Sequence, residues 1–176
     1  GQTIAEFSLS GDDVFSDVDF SIESSSSSAF TLESNRLVLT KALDFEERSL
    51  HHVTLSALDA SGSSITRSFE FSVIDVNDAP TEIVASASDI PQDLTSGQVI
   101  ATLTGLDQDS HDELTFRLKD VVVDGESVDD LFRILDDSLL LNTDASNLID
   151  SPYVLSIEAI DLAGASLVQD ISLSLI

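Results

Sequence analysis

The chain repeats itself, and a chain built this way must fold one unit twice. Gly1-Gln2-Thr3-Ile4-Ala5 returns as Gly97-Gln98-Val99-Ile100-Ala101, and Val18, Phe20 and Ile22 return at the same spacing as Leu114, Phe116 and Leu118. A short insertion in the second copy then lengthens the spacing. Beyond it, Phe30-Thr31-Leu32 matches Phe132-Arg133-Ile134, and Leu55-Ser56-Ala57-Leu58-Asp59 matches Ile157-Glu158-Ala159-Ile160-Asp161. Gly62 matches Gly164, and Phe69, Phe71 and Val73 match Ile171, Leu173 and Leu175. The copies are expected to span residues 1–78 and 79–176. Gly1 aligns with Gly97, so copy one is expected to lack the counterpart of Thr81–Ser96, which should be an edge strand. Both ends read as cuts in a longer array of repeats.

Each copy reads as β-structure. Val53, Leu55 and Ala57 alternate with Thr54, Ser56 and Leu58. Phe69, Phe71 and Val73 alternate with Ser68, Glu70 and Ser72, and Leu155, Ile157 and Ala159 with Ser156, Glu158 and Ile160. A period of two gives each strand one buried and one wet face, as antiparallel sheets require. Short strands separated by frequent turn signals predict an all-β sandwich. The Ser24–Ser28 run, between two strand patterns, reads as a flexible surface loop.

Charge narrows the function. The chain carries 33 acidic residues against 7 basic ones, a formal net charge of −26. Phosphate binding needs Lys and Arg clusters, so a general nucleic-acid role is excluded, as is electrostatic docking on anionic lipid. The absence of Cys excludes disulfides and zinc–thiolate sites. No apolar run approaches the roughly 20 residues of a membrane span, so no direct insertion by this fragment is expected. Such self-repulsion calls for a cationic partner, and a divalent metal is the first candidate.

Four motif types carry a family resemblance. They are Asp75-Val76-Asn77-Asp78-Ala79-Pro80, Leu43-Asp44-Phe45-Glu46, Ala57-x-Asp59 with Ala159-x-Asp161, and Asp107-x-Asp109. In this order and spacing the sequence resembles tandem cadherin repeats, in their bacterial surface-protein variety. The resemblance covers essentially the whole chain. It implies two seven-stranded Greek-key β-sandwiches joined end to end, with calcium (Ca2+) stiffening the junction. Carried over position by position, Asp44, Glu46 and Asp78 would hold the outer ions on the copy-one side. Asn77, Asp107, Asp109 and Asp161 would hold the ion nearest copy two. Val76 and Ala79 would offer backbone carbonyls, as would a residue in His111–Glu113, and Asp75 joins the set as the opening residue of the linker. The sequence also departs from the family pattern. Gln92 stands where a Glu is usual, Gly11-x-Asp13 replaces an Asp-x-Asp, and Ala145-Ser146-Asn147-Leu148 replaces the Asp44–Glu46 motif in copy two. One to three ions are therefore expected.

The residues themselves support calcium. That ion takes six to eight oxygens, mixing carboxylates with carbonyls. Asp44 and Glu46, and Asp107 and Asp109, are each two apart and would share a face on a strand. Asp161 continues an apolar strand face, an expensive place for a carboxylate without a cation. Asp107-x-Asp109-x-His111 lacks the Gly of an EF-hand loop. His51 and His52 would face opposite ways and read as solvated rather than metal-binding. No nucleophile elbow or phosphate loop is present, so an enzyme is not expected. The expected function is a calcium-binding structural and adhesion module of a large cell-surface or secreted protein with a membrane-anchored parent, acting extracellularly on protein partners, homophilic or heterophilic, or on surface polysaccharide. The alternative is a carbohydrate-binding or spacer module of a secreted polysaccharide-processing protein. One Tyr and no Trp leave few stacking platforms for sugar.

Overall fold

The computed structural model describes residues 1–8, 18–109, 113–128 and 130–176. It divides into two units, Gly1–Val76 and Asn77–Ile176, so the linker residues Asn77 and Asp78 belong with the second.

The first unit has six strands, β1 (Gln2–Glu6), β2 (Val18–Ser25), β3 (Phe30–Glu33), β4 (Arg36–Leu39), β5 (Leu50–Asp59) and β6 (Ser64–Ser72). They form the sheets β1-β4-β3 and β2-β5-β6. The second unit has β7 (Glu82–Ala85), β8 (Asp89–Ile90), β9 (Val99–Leu106), β10 (Thr115–Val123), β11 (Glu126–Ser127), β12 (Phe132–Leu135), β13 (Ser138–Leu141), β14 (Tyr153–Ile160) and β15 (Ser166–Leu175). Its sheets are β12-β13-β9-β7 and β11-β10-β14-β15-β8. Each unit is thus an all-β Greek-key sandwich.

The sequence repeat reappears in the register. Ala5 pairs with Leu37 on β4, and its counterpart Ala101 pairs with Leu139 on β13. A bulge between Ile22 and Ser24 on β2 returns between Leu118 and Asp120 on β10. In both units the last two strands join through a tight turn whose glycine has positive φ, Gly62 at 86° and Gly164 at 94°. A side chain there would be strained, which explains why this glycine recurs.

The cores differ in depth. In the second unit Ala101, Leu103, Leu139 and Leu141 of one sheet meet Val121, Leu155, Ile157 and Leu173 of the other. Here β7 runs antiparallel to β9, and the chain then crosses so that β8 lies parallel to β15. The crossing plants Ile83 and Ile90 in the core, 2% and 0% exposed. Among the described residues the first unit has no counterpart of β7 or β8, so β1 and β6 keep open edges. Its fully buried cluster is Phe30, Leu37, Val53 and Leu55, with Phe7, Phe69 and Phe71 packed against it.

Two expectations are corrected. The serine run is pinned rather than loose: Ser26 N–H donates to the His52 carbonyl at 3.0 Å, and Ser26 Oγ accepts from His52 N–H at 2.9 Å. His51 is not solvated. It lies on β5, 5% exposed, edge-on to Phe30 at 5.6 Å, while His52 points out toward Glu70. Strand alternation puts one of two adjacent histidines inside.

Candidate metal centre

The residues singled out for calcium belong to both units. In the first unit Asp44 and Glu46 lie in a turn between β4 and β5 rather than on a strand, which corrects the expected shared strand face. Asp44 Oδ1 accepts the N–H groups of Glu46 at 2.9 Å and Glu47 at 3.1 Å. This side-chain turn, typical of Asp, does the placing that strand geometry does not. A Glu46 carboxylate oxygen comes within 4.8 Å of one from Asp75. Desolvation, chiefly, and then the Asp44 side chain and the Asp75 charge push the Glu46 carboxyl above its usual range. Like charges held close favour a proton, or a cation in its place.

The second unit collects the other half. Asp107 and Asp109 follow β9 in a bend, again not on a strand, and Asp107 Oδ1 accepts the Asp109 N–H at 3.1 Å. Asp109 Oδ2 accepts the Asp78 N–H at 2.7 Å. Asn77 Nδ2 donates to Asp161 Oδ2 at 2.9 Å. The amide nitrogen being spent, the Asn77 oxygen is the atom left to coordinate. Asp161 sits just past β14, 5% exposed. Its Oδ1 accepts from Gly164 at 2.6 Å and Ala165 at 2.8 Å. The Asn77 hydrogen bond, aided by these backbone donors, holds the Asp161 carboxyl below the usual range, so it stays ionised in spite of burial. The roles of Gly164 and Ala165 were not anticipated, although the recurrence of Gly62 at Gly164 marked the turn that supplies them.

One atom tests whether a metal fits. Asp107 Oδ2 is buried and has no hydrogen-bond partner among the described residues. A desolvated carboxylate oxygen without a donor is costly, and a hard cation removes that cost. The candidate ligands that the sequence supplies are carboxylates, the Asn77 amide oxygen and the carbonyls of Val76 and Ala79, both exposed residues. That chemistry suits calcium and excludes soft metals. Of the His111–Glu113 segment, His111 and Asp112 lie outside the described residues, as does the whole Gly11–Asp13 place. In the second unit the counterpart of the Asp44–Glu46 turn is a 3-10 turn, Ala145–Asn147, whose Ala145 is buried and which offers no carboxylate.

Asp59, the counterpart of Asp161, is also held by its turn. Its Oδ1 accepts from Ser61 N–H at 2.9 Å, Ser61 Oγ at 2.7 Å and Ser63 N–H at 2.9 Å. The Ser61 hydroxyl, first, and these amides lower its pKa. Among the described residues no helix is long and apolar enough to cross a membrane.

No protein-family model matches the chain. Among curated proteins it is 34% identical over 130 residues to actin-related protein 4 of Yarrowia lipolytica, covering 73% of this chain and 29% of that protein. It is 31% identical over 96 residues to protocadherin gamma-A12 of Pan troglodytes, covering 52% of this chain and 10% of that one. The chain thus spans under a third of either relative. The two names are unlike, and the fold discriminates between them. The human protocadherin-24 EC1-2 crystal structure superposes with a TM-score of 0.68 at 26% identity, covering 90% of this chain and 82% of that one. The protocadherin gammaB4 extracellular domain gives 0.69 at 26% identity, covering 99% of this chain and 29% of that one. Mouse cadherin-23 EC22-24, at 17% identity, shares the fold with a TM-score of 0.69, covering 100% of this chain and 60% of that one. Neither the human nor the mouse structure shows the bacterial origin that the sequence suggested.

Proposed function

Starting from a chain made of two cadherin-like repeats, the fold of protocadherin and cadherin-23 extracellular segments, we propose that it is a calcium-dependent, non-enzymatic adhesion module of an extracellular or cell-surface protein. Calcium would be held by Asp44, Glu46 and Asp75 of the first repeat and by Asn77, Asp78, Asp107, Asp109 and Asp161 of the second, with the Val76 and Ala79 carbonyls. The ion supplies charge neutralisation; the chain's residues supply the pre-set turns. Without it, like charges on the linker and both repeats repel. With it, the linker is tied and the junction stiffens. Sites of this extracellular kind bind on the order of 10⁻⁴ to 10⁻³ M, so extracellular calcium fills them and cytosolic calcium does not. The adhesive partner is a protein; with 6% aromatics the surface has few stacking platforms for sugar.

Asp107 Oδ2, buried without a partner among the described residues, is the observation that carries this reading. Calorimetric titration with calcium, with a chelator control, tests it together with small-angle scattering in both conditions. Saturable binding of one to three ions and a stiffer particle in calcium are expected. Absence of binding at several millimolar sinks the metal centre; binding with an unchanged scattering profile sinks the stiffening role alone.

A further inference from the structure

Between the serine run and the β4–β5 turn, the first repeat holds a polar pocket of about 260 Å³, lined among others by Ser28, Lys41, Asp44, Glu47, Arg48 and His51. The second repeat shows how it arises. By the repeat register His51 corresponds to Tyr153, and each ring lies edge-on to a phenylalanine, Phe30 at 5.6 Å and Phe132 at 5.4 Å. The Tyr153 phenol reaches on to Ile149, accepting its N–H at 2.8 Å and donating to its carbonyl at 3.3 Å. An imidazole is shorter, and Glu47 stands in the place of Ile149. His51 and Glu47 both line the pocket, so the space that a phenol takes in one repeat is open in the other. The charges change with it. Lys41 and Arg48 stand where the second repeat has Thr143 and Asp150. The open place thus draws two of the chain's 7 basic residues, and the filled place none.

These donors lack acceptors. Asp44 and Glu47 share the pocket, yet among the described residues neither Lys41 nor Arg48 has a carboxylate within ion-pairing distance. Asp44 Oδ1 is spent on the N–H groups of Glu46 and Glu47. Ser26 Oγ accepts the His52 N–H and lies 3.2 Å from His51 Nδ1, the acceptor for its own proton among the described residues. That puts the imidazole proton on Nε2, which is buried without a partner among the described residues. An ammonium, a guanidinium and an imidazole N–H therefore surround a space that lacks an acceptor.

We propose that this pocket receives a single carboxylate side chain, Glu or Asp, of a different protein; this rests on the reading of the chain as an adhesion module and names what its partner presents. At about 260 Å³ the pocket is smaller than the roughly 300–1,000 Å³ of small-molecule sites, and fits one side chain. Arg48 suits a bidentate pair with a carboxylate, and Lys41 adds charge. The carboxylates of Asp44 and Glu47 repel a phosphate or sulfate dianion more than a monoanion. No Phe, Tyr or Trp lines the pocket to stack a sugar ring. A second copy of this chain, with a net charge of −26, is repelled.

The probe is a capped Gly-Glu-Gly tripeptide, titrated into the whole chain in chelator and followed by NMR. Calcium is left out so that failure of the metal centre does not touch the outcome. The resonances of Ser28, Lys41 and Arg48 should shift, and a Gly-Gln-Gly peptide should bind at least about tenfold more weakly. That preference should vanish in Arg48→Gln. Arg48 is exposed and its backbone N–H bond to the Asp44 carbonyl is kept, so this variant is expected to fold. His51→Tyr imports the residue of the second repeat, fills the space and leaves Lys41 and Arg48 in place; it should remove binding. Equal binding of the Glu and Gln peptides, a preference that survives Arg48→Gln, or undiminished binding in His51→Tyr overturns the proposal. Glucuronate binding more tightly than the Glu peptide would give the site to an acidic polysaccharide, and self-association lost in Arg48→Gln would give it to a second copy; either overturns it.

Discussion

Asp107→Asn should change stability with opposite sign in the presence and absence of calcium. Asp107 Oδ2 is buried without a partner among the described residues, while Oδ1 accepts the Asp109 N–H at 3.1 Å. Asn keeps that acceptor and the shape, and removes the charge. A buried unpartnered polar group costs about 1–3 kcal/mol and a charged one more, so neutralising it should stabilise the calcium-free protein by about 1 kcal/mol. For a unit of this size that raises Tm by roughly 4–8 °C. In calcium at 100 times Kd, the native chain gains about 2.7 kcal/mol. Each tenfold weakening of affinity by the lost carboxylate removes about 1.4 kcal/mol of it. The loss exceeds the gain, so the variant should melt above the parent in chelator and below it in calcium. Tyr153, the only Tyr in a chain without Trp, lies fully buried in the second repeat and reports its unfolding by intrinsic fluorescence. Equal shifts in both conditions would refute the assignment of Oδ2 to a cation.

His51→Phe should stabilise the first repeat by about 1 kcal/mol, because His51 Nε2 is buried without a partner among the described residues. Its counterpart Tyr153 shows that an aromatic ring fits there, edge-on to Phe132 at 5.4 Å; a lower calorimetric Tm would show that the nitrogen is satisfied in solution. In chelator, Asp161 contributes stability that is present above the ordinary Asp range and lost as pH falls through its lowered folded-state pKa. Asn77→Ala, removing the main cause, should move the Asp161 carboxyl titration upward by NMR; an unmoved titration contradicts the hydrogen bond. Asp78→Ala should diminish the calcium-dependent rise in Tm, while Asp59→Ala, whose carboxylate is occupied by its own turn, should leave it intact. Backbone amides of Thr3–Phe7 and Phe69–Val73 should exchange faster than those of Val99–Leu103 and Ile171–Leu175, since β1 and β6 have open edges. Equal protection in a monomeric chain would mean that the edge is covered.

The sandwich was legible in the sequence because side-chain alternation is a local property and the repeat states it twice. Val53, Leu55 and Ala57 alternate into the core as read, and the copies that the sequence aligns share a bulge, after Ile22 and after Leu118. The candidate ligands were legible too, as types and positions along the chain. How they are positioned was not. Asp44 and Asp107 look like strand residues by spacing, yet each folds a turn around its own carboxylate. That outcome depends on where β4 and β9 stop, which pairing with distant strands decides. The inward turn of His51 depends on β5 being flanked by both β2 and β6. The same holds for the exchange of Gln169 for Arg67. In the sequence it is one polar residue in place of another; only the structure shows that Gln169 hydrogen-bonds the Ile83 backbone of β7, far away along the chain, whereas Arg67 lies on β6, which has no such neighbour among the described residues.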